Sequence, residues 1–96
     1  MSEVDVFDAL KYHIEVDRYG TRKYYNNAGE LHRVNGPAIE RADGTKYWYQ
    51  HGLRHRIDGP AIEWCDRDKW WFINGVHLTA AEFKYFLFAH GSSPLI

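Results

Sequence analysis

Apolar and polar positions along this chain change period twice. Residues 12–18 alternate, with Ile14 and Val16 on one face and His13, Glu15 and Asp17 on the other, the pattern of a half-buried strand. Ahead of them Val6, Ala9 and Leu10 have helical spacing, while Val4 and Val6 suit an edge strand, so residues 3–11 admit both forms. Segments 37–42 and 45–50 flank Asp43-Gly44, and Asp-Gly between strands signals a two-residue hairpin turn. That turn sets Ile39 opposite Trp48, Glu40 opposite Tyr47 and Arg41 opposite Lys46. After Gly75 the period becomes helical. Thr79 and Glu82 form a capping box, Phe83, Phe86 and Leu87 make a stripe, and His90-Gly91 is the stop. We expect a helix over 79–90 and a loose tail, SSPLI.

The strand region repeats itself. His32-Arg33 recurs 23 residues later as His55-Arg56, and Gly36-Pro37-Ala38-Ile39-Glu40 as Gly59-Pro60-Ala61-Ile62-Glu63. The same offset carries Tyr24 to Tyr47 and Trp70, Tyr25 to Trp48 and Trp71, and Gly29 to Gly52 and Gly75. A period of about 20 to 50 residues implies stacked supersecondary units, each burying its face against the next. The expected spine is Val16, Ile39 and Ile62 beside Tyr25, Trp48 and Trp71, because β-branched residues pair well with aromatic ones across strands. The third hairpin has Cys65-Asp66-Arg67-Asp68 in place of Asp-Gly, which implies a looser or bulged turn. The expected fold is mainly β: three stacked antiparallel hairpins over residues 12–77 forming one curved sheet, with a C-terminal capping helix, in a single domain spanning 1–96.

Composition narrows the partners. Lys and Arg number 12 against 13 Asp and Glu, a formal charge of -1, which disfavours nonspecific adhesion to nucleic acid or an acidic membrane. Near-neutrality favours self-association. The single cysteine, Cys65, forms no internal disulfide, no apolar run approaches a membrane span, and the opening MSEVDVFDAL lacks a basic leader. A cytoplasmic setting is the expectation.

Chemistry-bearing residues are present without a catalytic motif. The six histidines show no HExxH or other compact ligand group, so no metal is expected. His32-Arg33 and His55-Arg56 occupy equivalent loops, where imidazole can meet a backbone group and guanidinium can clamp Glu40, Glu63 or loop carbonyls. His32, His55, Gly36, Gly59, Trp48 and Trp71 are therefore expected to maintain the repeat. Glu40 and Glu63 suit an ion-pair ladder better than a glycosidase pair. Cys65 stands where the previous copy has Ala42 and lacks a catalytic partner. No catalytic residue and no cofactor are expected.

Two aromatic rows remain, at 24/25, 47/48 and 70/71, and a thin sheet cannot hide both. The exposed row, with Trp70 and Phe72, and a ridge of Arg33, Arg54 and Arg56 are the candidate partner-binding residues. A protein partner or a homodimer ranks ahead of single-stranded nucleic acid, which aromatic and Arg side chains also bind. A contiguous acidic face of Asp17, Glu40, Glu63, Asp66 and Asp68 would instead point to nucleic-acid mimicry. A small hydrolase would need a deep pocket pairing His with a nucleophile or carboxylate.

The unit HRxxGPAIExxDGxxYWYxxG, carried by 24–29, 32–39, 43–52, 55–62 and 70–75, resembles a repeat of small phage and bacterial proteins. It is similar in kind to MORN-type repeats, which pair short strands around a YxxG turn. That resemblance implies a non-enzymatic binding module, on the pattern of a phage accessory protein that inhibits or redirects a host factor in the host cytoplasm. It supplies no catalytic residues.

Overall fold

A computed structural model describes residues 6–90; Gly91 and the SSPLI tail, like Val4, lie outside the described residues. In chain order the elements are α1 (Val6–Lys11), β1 (His13–Val16), β2 (Arg22–Tyr25), β3 (Ile39–Glu40), β4 (Lys46–Tyr47), β5 (Tyr49–Gln50), β6 (Leu53–Arg54), β7 (Ile62–Glu63), β8 (Lys69–Ile73), β9 (Val76–Leu78) and α2 (Ala80–Ala89). The protein is mainly β with a C-terminal helix. Its strands form two sheets instead of the expected one: seven strands ordered β1-β2-β3-β4-β7-β8-β9, and the pair β5-β6. Every pairing is antiparallel. Trp48 stands between β4 and β5. Its N–H donates to Ala61 O at 2.7 Å and its carbonyl accepts from His55 N at 3.0 Å, so the chain changes sheets at this residue.

The register differs by one residue from the Asp-Gly expectation. Ile39 faces Tyr47 and Glu40 faces Lys46, and Ile62 faces Trp70 and Glu63 faces Lys69; in the first hairpin the difference is three residues, Val16 facing Arg22 and not Tyr25. The turn chemistry explains the shift. Only Gly44 takes positive φ (+95°), while Asp43 Oδ1 accepts the Thr45 N–H at 2.8 Å. The loop is therefore three residues, 42–44, closed by Arg41 N to Thr45 O at 2.9 Å. Matching bonds close 17–21 and 64–68, with Gly20 and Arg67 in the left-handed position. The two-residue turns lie elsewhere, at His51-Gly52 and Asn74-Gly75, where both residues of each pair have positive φ.

A slip of one residue exchanges the faces of a strand. It also corrects the spine. The first copy turns through three residues, 27–29, closed by Asn26 N to Glu30 O, where the later copies use two. Upstream of that turn the first copy is offset by 24 residues, so the structural counterpart of Trp48 is Tyr24. Tyr24 N bonds Ala38 O as Trp48 N bonds Ala61 O, and His32 N bonds Tyr24 O as His55 N bonds Trp48 O. The recurrent row is thus Tyr24, Trp48 and Trp71. Tyr25 falls on the other face, and Val16, 56% exposed, is not in the core.

Burial concentrates in two clusters. Ala61, Ile62 and Phe72 pack with Tyr47, Trp48 and Trp64; Ile73, Phe83 and Leu87 pack with Trp71, Leu78 and Phe86. The second lies beneath α2. That helix starts at the predicted capping box, with Glu82 N donating to Thr79 Oγ1 at 3.1 Å and Thr79 N to Glu82 Oε1 at 2.8 Å. Helix α1 behaves differently. Val6, Phe7 and Leu10 are 70–80% exposed, and its anchored residue is Asp8, whose carboxylate meets Arg33 at 2.6 Å.

Arg67 holds a left-handed conformation (φ 78°) where the other two loops have glycine. That conformation costs a non-glycine residue roughly 1–2 kcal/mol, partly offset by the freedom glycine adds to the unfolded chain. Arg67→Gly should therefore raise stability by about 0.5–1 kcal/mol, a gain of roughly 2–6 °C in Tm. A melting temperature that is unchanged or lower would remove the strain from this turn.

Candidate functional site

The repeated signature builds one motif twice. The Arg33 guanidinium lies 3.9 Å over the Tyr24 ring, and that of Arg56 lies 3.9 Å over Trp48. Arg33 Nη1 donates to Pro37 O at 3.1 Å and to Glu40 Oε2 at 3.4 Å; Arg56 Nη1 donates to Pro60 O and Glu63 Oε2, both at 3.1 Å. Each guanidinium is pressed from its other side by a glycine. A Cβ on Gly36 would stand 3.1 Å from Arg33 Cζ, and one on Gly59 would stand 2.9 Å from Arg56 Cζ. Ala38 and Ala61 have no exposure at all. Stacking of cation on ring, two charge-assisted bonds and a glycine floor together account for the residue types in R-x-x-G-P-A-I-E.

The two copies complete their arginines differently. Arg56 Nε donates to Asp58 Oδ1 at 2.8 Å. The first copy has Asn35 there, and Arg33 Nε is buried without a partner among the described residues. Asp8 of α1 supplies the missing carboxylate at Nη2 instead. Tyr12 follows, its Oη accepting the Val34 N–H at 3.0 Å and its ring meeting Tyr24 edge-on at 5.9 Å.

The histidines bind consecutive copies together. His32 Nδ1 accepts the His51 N–H, and His55 Nδ1 accepts the Asn74 N–H, each at 2.9 Å. Gly52 N to Leu31 O (2.9 Å) and Gly75 N to Arg54 O (2.8 Å) complete the clasp. Acceptance at Nδ1 requires neutral imidazoles with the proton on Nε2. Burial holds both rings below the ordinary histidine range, and the neighbouring His51 adds to the effect at His32, opposed by Glu30.

The sheet separates charge from aromatic surface. On one face Arg22, Glu40, Lys46, Glu63 and Lys69 stand opposite one another on successive strands with alternating sign. Glu40 and Glu63 are therefore interleaved with cations and do not form a contiguous acidic face. On the opposite face a chain of rings runs across the sheet. Tyr47 meets Trp64 at 5.7 Å and 87°, and Trp64 meets Trp70 at 5.7 Å and 76°. Trp70 stacks on His77 at 5.1 Å, and His77 on Phe72 at 4.8 Å. Arg54 ends the row, its guanidinium 5.4 Å from the Phe72 ring and without a carboxylate partner among the described residues.

Of the expected binding residues, Trp70 (42% exposed) and Arg54 thus share one surface. Phe72 does not contribute area, because it is only 6% exposed within the Ala61–Ile62 cluster. Arg33 and Arg56 do not form a ridge with Arg54; their side chains are 15% and 21% exposed and spent on the motif. His32, His55, Gly36, Gly59 and Trp48 hold the repeat. Trp71 takes the same place without an arginine and lies 6.4 Å from Phe83 of α2. Asp8, Tyr12, Trp64 and His77 escaped sequence reasoning. Only Trp64 had a signal, since it shares the alternation of Ile62.

A cleft of about 580 Å³ opens between the loops 34–37 and 55–58, with Trp48 and Gln50 at its side. His55 lines it, but no Ser, Thr or Cys does. Cys65 is exposed in the third hairpin loop. Among the described residues no three His, Cys, Asp or Glu side chains gather as metal ligands, and no helix is long and apolar enough to cross a membrane. Comparison with family models, curated proteins and solved structures gave no match.

Two measurements test this geometry. Gly59→Ala pushes a methyl into the guanidinium and should cost about 1–3 kcal/mol by chemical denaturation. In an Arg56→Ala background the same change should cost under about 0.5 kcal/mol, since coupled residues are non-additive; equal penalties in both backgrounds would dissolve the sandwich. The histidines set an acid limb. Their folded-state affinity for protons lies below the unfolded value of 6.5, so the unfolded chain binds more protons below that pH. Urea melts should show this contribution intact above about pH 6.5 and declining as pH falls toward the folded values. The paired variant His32→Gln, His55→Gln should flatten that limb; an unaltered limb would locate its origin elsewhere.

Proposed function

We propose that this chain is a non-enzymatic protein-binding module, a stack of hairpin repeats of the MORN-like kind, that docks through the aromatic face of its sheet. The observation carrying this is the continuous row from Tyr47 through Trp64 and Trp70 to Arg54. Exposed aromatic rows with a desolvatable arginine are the composition of interface hot spots. The guanidinium of Arg54, without a carboxylate partner among the described residues, fits a partner that places a carboxylate there and apolar side chains along the tryptophans.

Ring orientation favours protein over nucleic acid. Bases stack on parallel, open ring faces. Here Tyr47, Trp64 and Trp70 stand nearly perpendicular to one another, and Trp70 already carries His77 at 22°. A second copy of the chain is the other occupant such a face could take.

Affinity capture from a lysate of the cell that naturally makes the chain, with and without nuclease, tests the proposal. We expect a retained protein partner whose affinity falls at least about tenfold for Trp70→Ser and for Arg54→Gln, the loss typical of a hot spot. Circular dichroism should show both variants folded. Signal abolished by nuclease, titration with oligo-dT, or concentration-dependent sedimentation in place of capture would each overturn the heterologous protein partner.

A further inference from the structure

The opposite face of the sheet carries three equivalent seats, each made by a ring and the residue that bonds its carbonyl: Tyr24 with His32, Trp48 with His55, and Trp71 paired with Leu78. The chain fills two of them itself. Tyr12 enters the first, with Asp8 on the arginine. Phe83 of α2 enters the third, packed with Trp71 and Leu78. Nothing from the described chain enters the second, and its place is the cleft of about 580 Å³.

We propose that this middle seat binds the side chain of a tyrosine presented by a partner polypeptide. Seat one supplies the pattern. There a phenol oxygen accepts a loop N–H, that of Val34, and the ring meets Tyr24 edge-on and His32 at 6.3 Å. In the middle seat the counterparts are the Ile57 N–H, Trp48 and His55. The Ile57 N–H has no acceptor among the described residues, and neither does Arg56 Nη2, the counterpart of the nitrogen that holds Asp8. In the first seat the equivalent donors take separate oxygens, Tyr12 Oη on the loop N–H and Asp8 on the arginine, so the phenol of a ligand is matched to the Ile57 N–H. Val34 and Ile57, 54% and 52% exposed, form an apolar rim. The side-chain amides of Asn35 and Gln50 line the cleft without hydrogen-bond partners among the described residues and suit a peptide backbone.

The charge of the ligand follows from the arginine. Arg56 already meets Asp58 at 2.8 Å and Glu63 at 3.1 Å, whereas Arg33 obtains its second carboxylate from Asp8. A further carboxylate in the middle seat would face those two anions. The occupant is therefore a neutral phenol and not an acid. This site lies across the sheet from the docking face proposed above and stands or falls separately.

Titration of the isotope-labelled protein with N-acetyl-tyrosinamide, N-acetyl-phenylalaninamide and 4-hydroxyphenylacetate tests it. Tyrosinamide should shift the amide of Ile57 and the indole N–H of Trp48. It should bind about fivefold tighter than phenylalaninamide, the worth of one net hydrogen bond, and 4-hydroxyphenylacetate should bind more weakly than tyrosinamide. The rim variant Val34→Arg, Ile57→Arg should abolish these shifts without lowering the melting temperature. If that variant unfolds, the ligand order on the unaltered protein decides. Shifts confined to Trp64 and Trp70, equal affinity for the three compounds, or no binding would overturn the tyrosine seat.

Discussion

A guanidinium held flat between an aromatic ring and a glycine is the constraint on which this molecule depends. Each part excludes alternatives at its own position. The ring must be large and flat enough to stack. The facing residue must lack a Cβ, since at Gly59 one would fall 2.9 Å from Arg56 Cζ. The proline carbonyl accepts from Nη1. The glutamate, at 3.4 Å in the first copy and 3.1 Å in the second, offsets the charge. A partly buried arginine lacking these partners would be strongly destabilising, since an uncompensated charge in a low-dielectric setting is costly. The repeat is thus a solution to one burial problem, written twice.

The same logic explains how the array ends. A third arginine would need a fourth strand pair to supply its proline carbonyl and glutamate. The chain substitutes α2, whose Phe83 and Leu87 cover Trp71 with hydrocarbon and need no counter-charge. At the other end Asn35 replaces the aspartate that the second copy uses, and Asp8 of α1 restores the balance. Helix α1 buries little apolar surface, and the Asp8–Arg33 ion pair and the Tyr12 contacts help to place it. The histidine clasps then couple neighbouring copies through backbone groups, which ties the geometry of each two-residue turn to the loop before it.

The strand–helix order, the capping box and the structural role of the His-Arg loops were legible because each rests on local chemistry or exact repetition. The register was not. Asp43-Gly44 is compatible with a two-residue turn and with a three-residue loop closed by glycine, and only the competition between Asp43 and the Thr45 N–H decides. That single residue moved Ile39 from Trp48 to Tyr47. The extra residue in the 27–29 turn similarly hid the equivalence of Tyr24 with Trp48, because Gly29 keeps the 23-residue spacing while everything before it shifts. Asp8 carried no pattern, and Tyr12 shared only the alternation of Ile14 and Val16, which does not name the loop it meets. Their roles arise from what the second copy contains and the first lacks.

The division of the sheet into two faces follows from where the charges go. On one face cations and anions alternate by register, with Arg22 meeting Glu40 at 3.5 Å and the repeat arginines meeting Glu40 and Glu63. The aromatic face has no such ladder. Tyr47, Trp64 and Trp70 hold one another edge-on, and the row terminates in Arg54, which has rings beneath it but no anion among the described residues. Every arginine of the repeat has a carboxylate within 3.4 Å. Arg54 lies over rings without a carboxylate partner among the described residues, as Arg18 does over Tyr19 at 5.0 Å, so the ring-and-carboxylate pairing belongs to the repeat motif and not to every arginine on a ring.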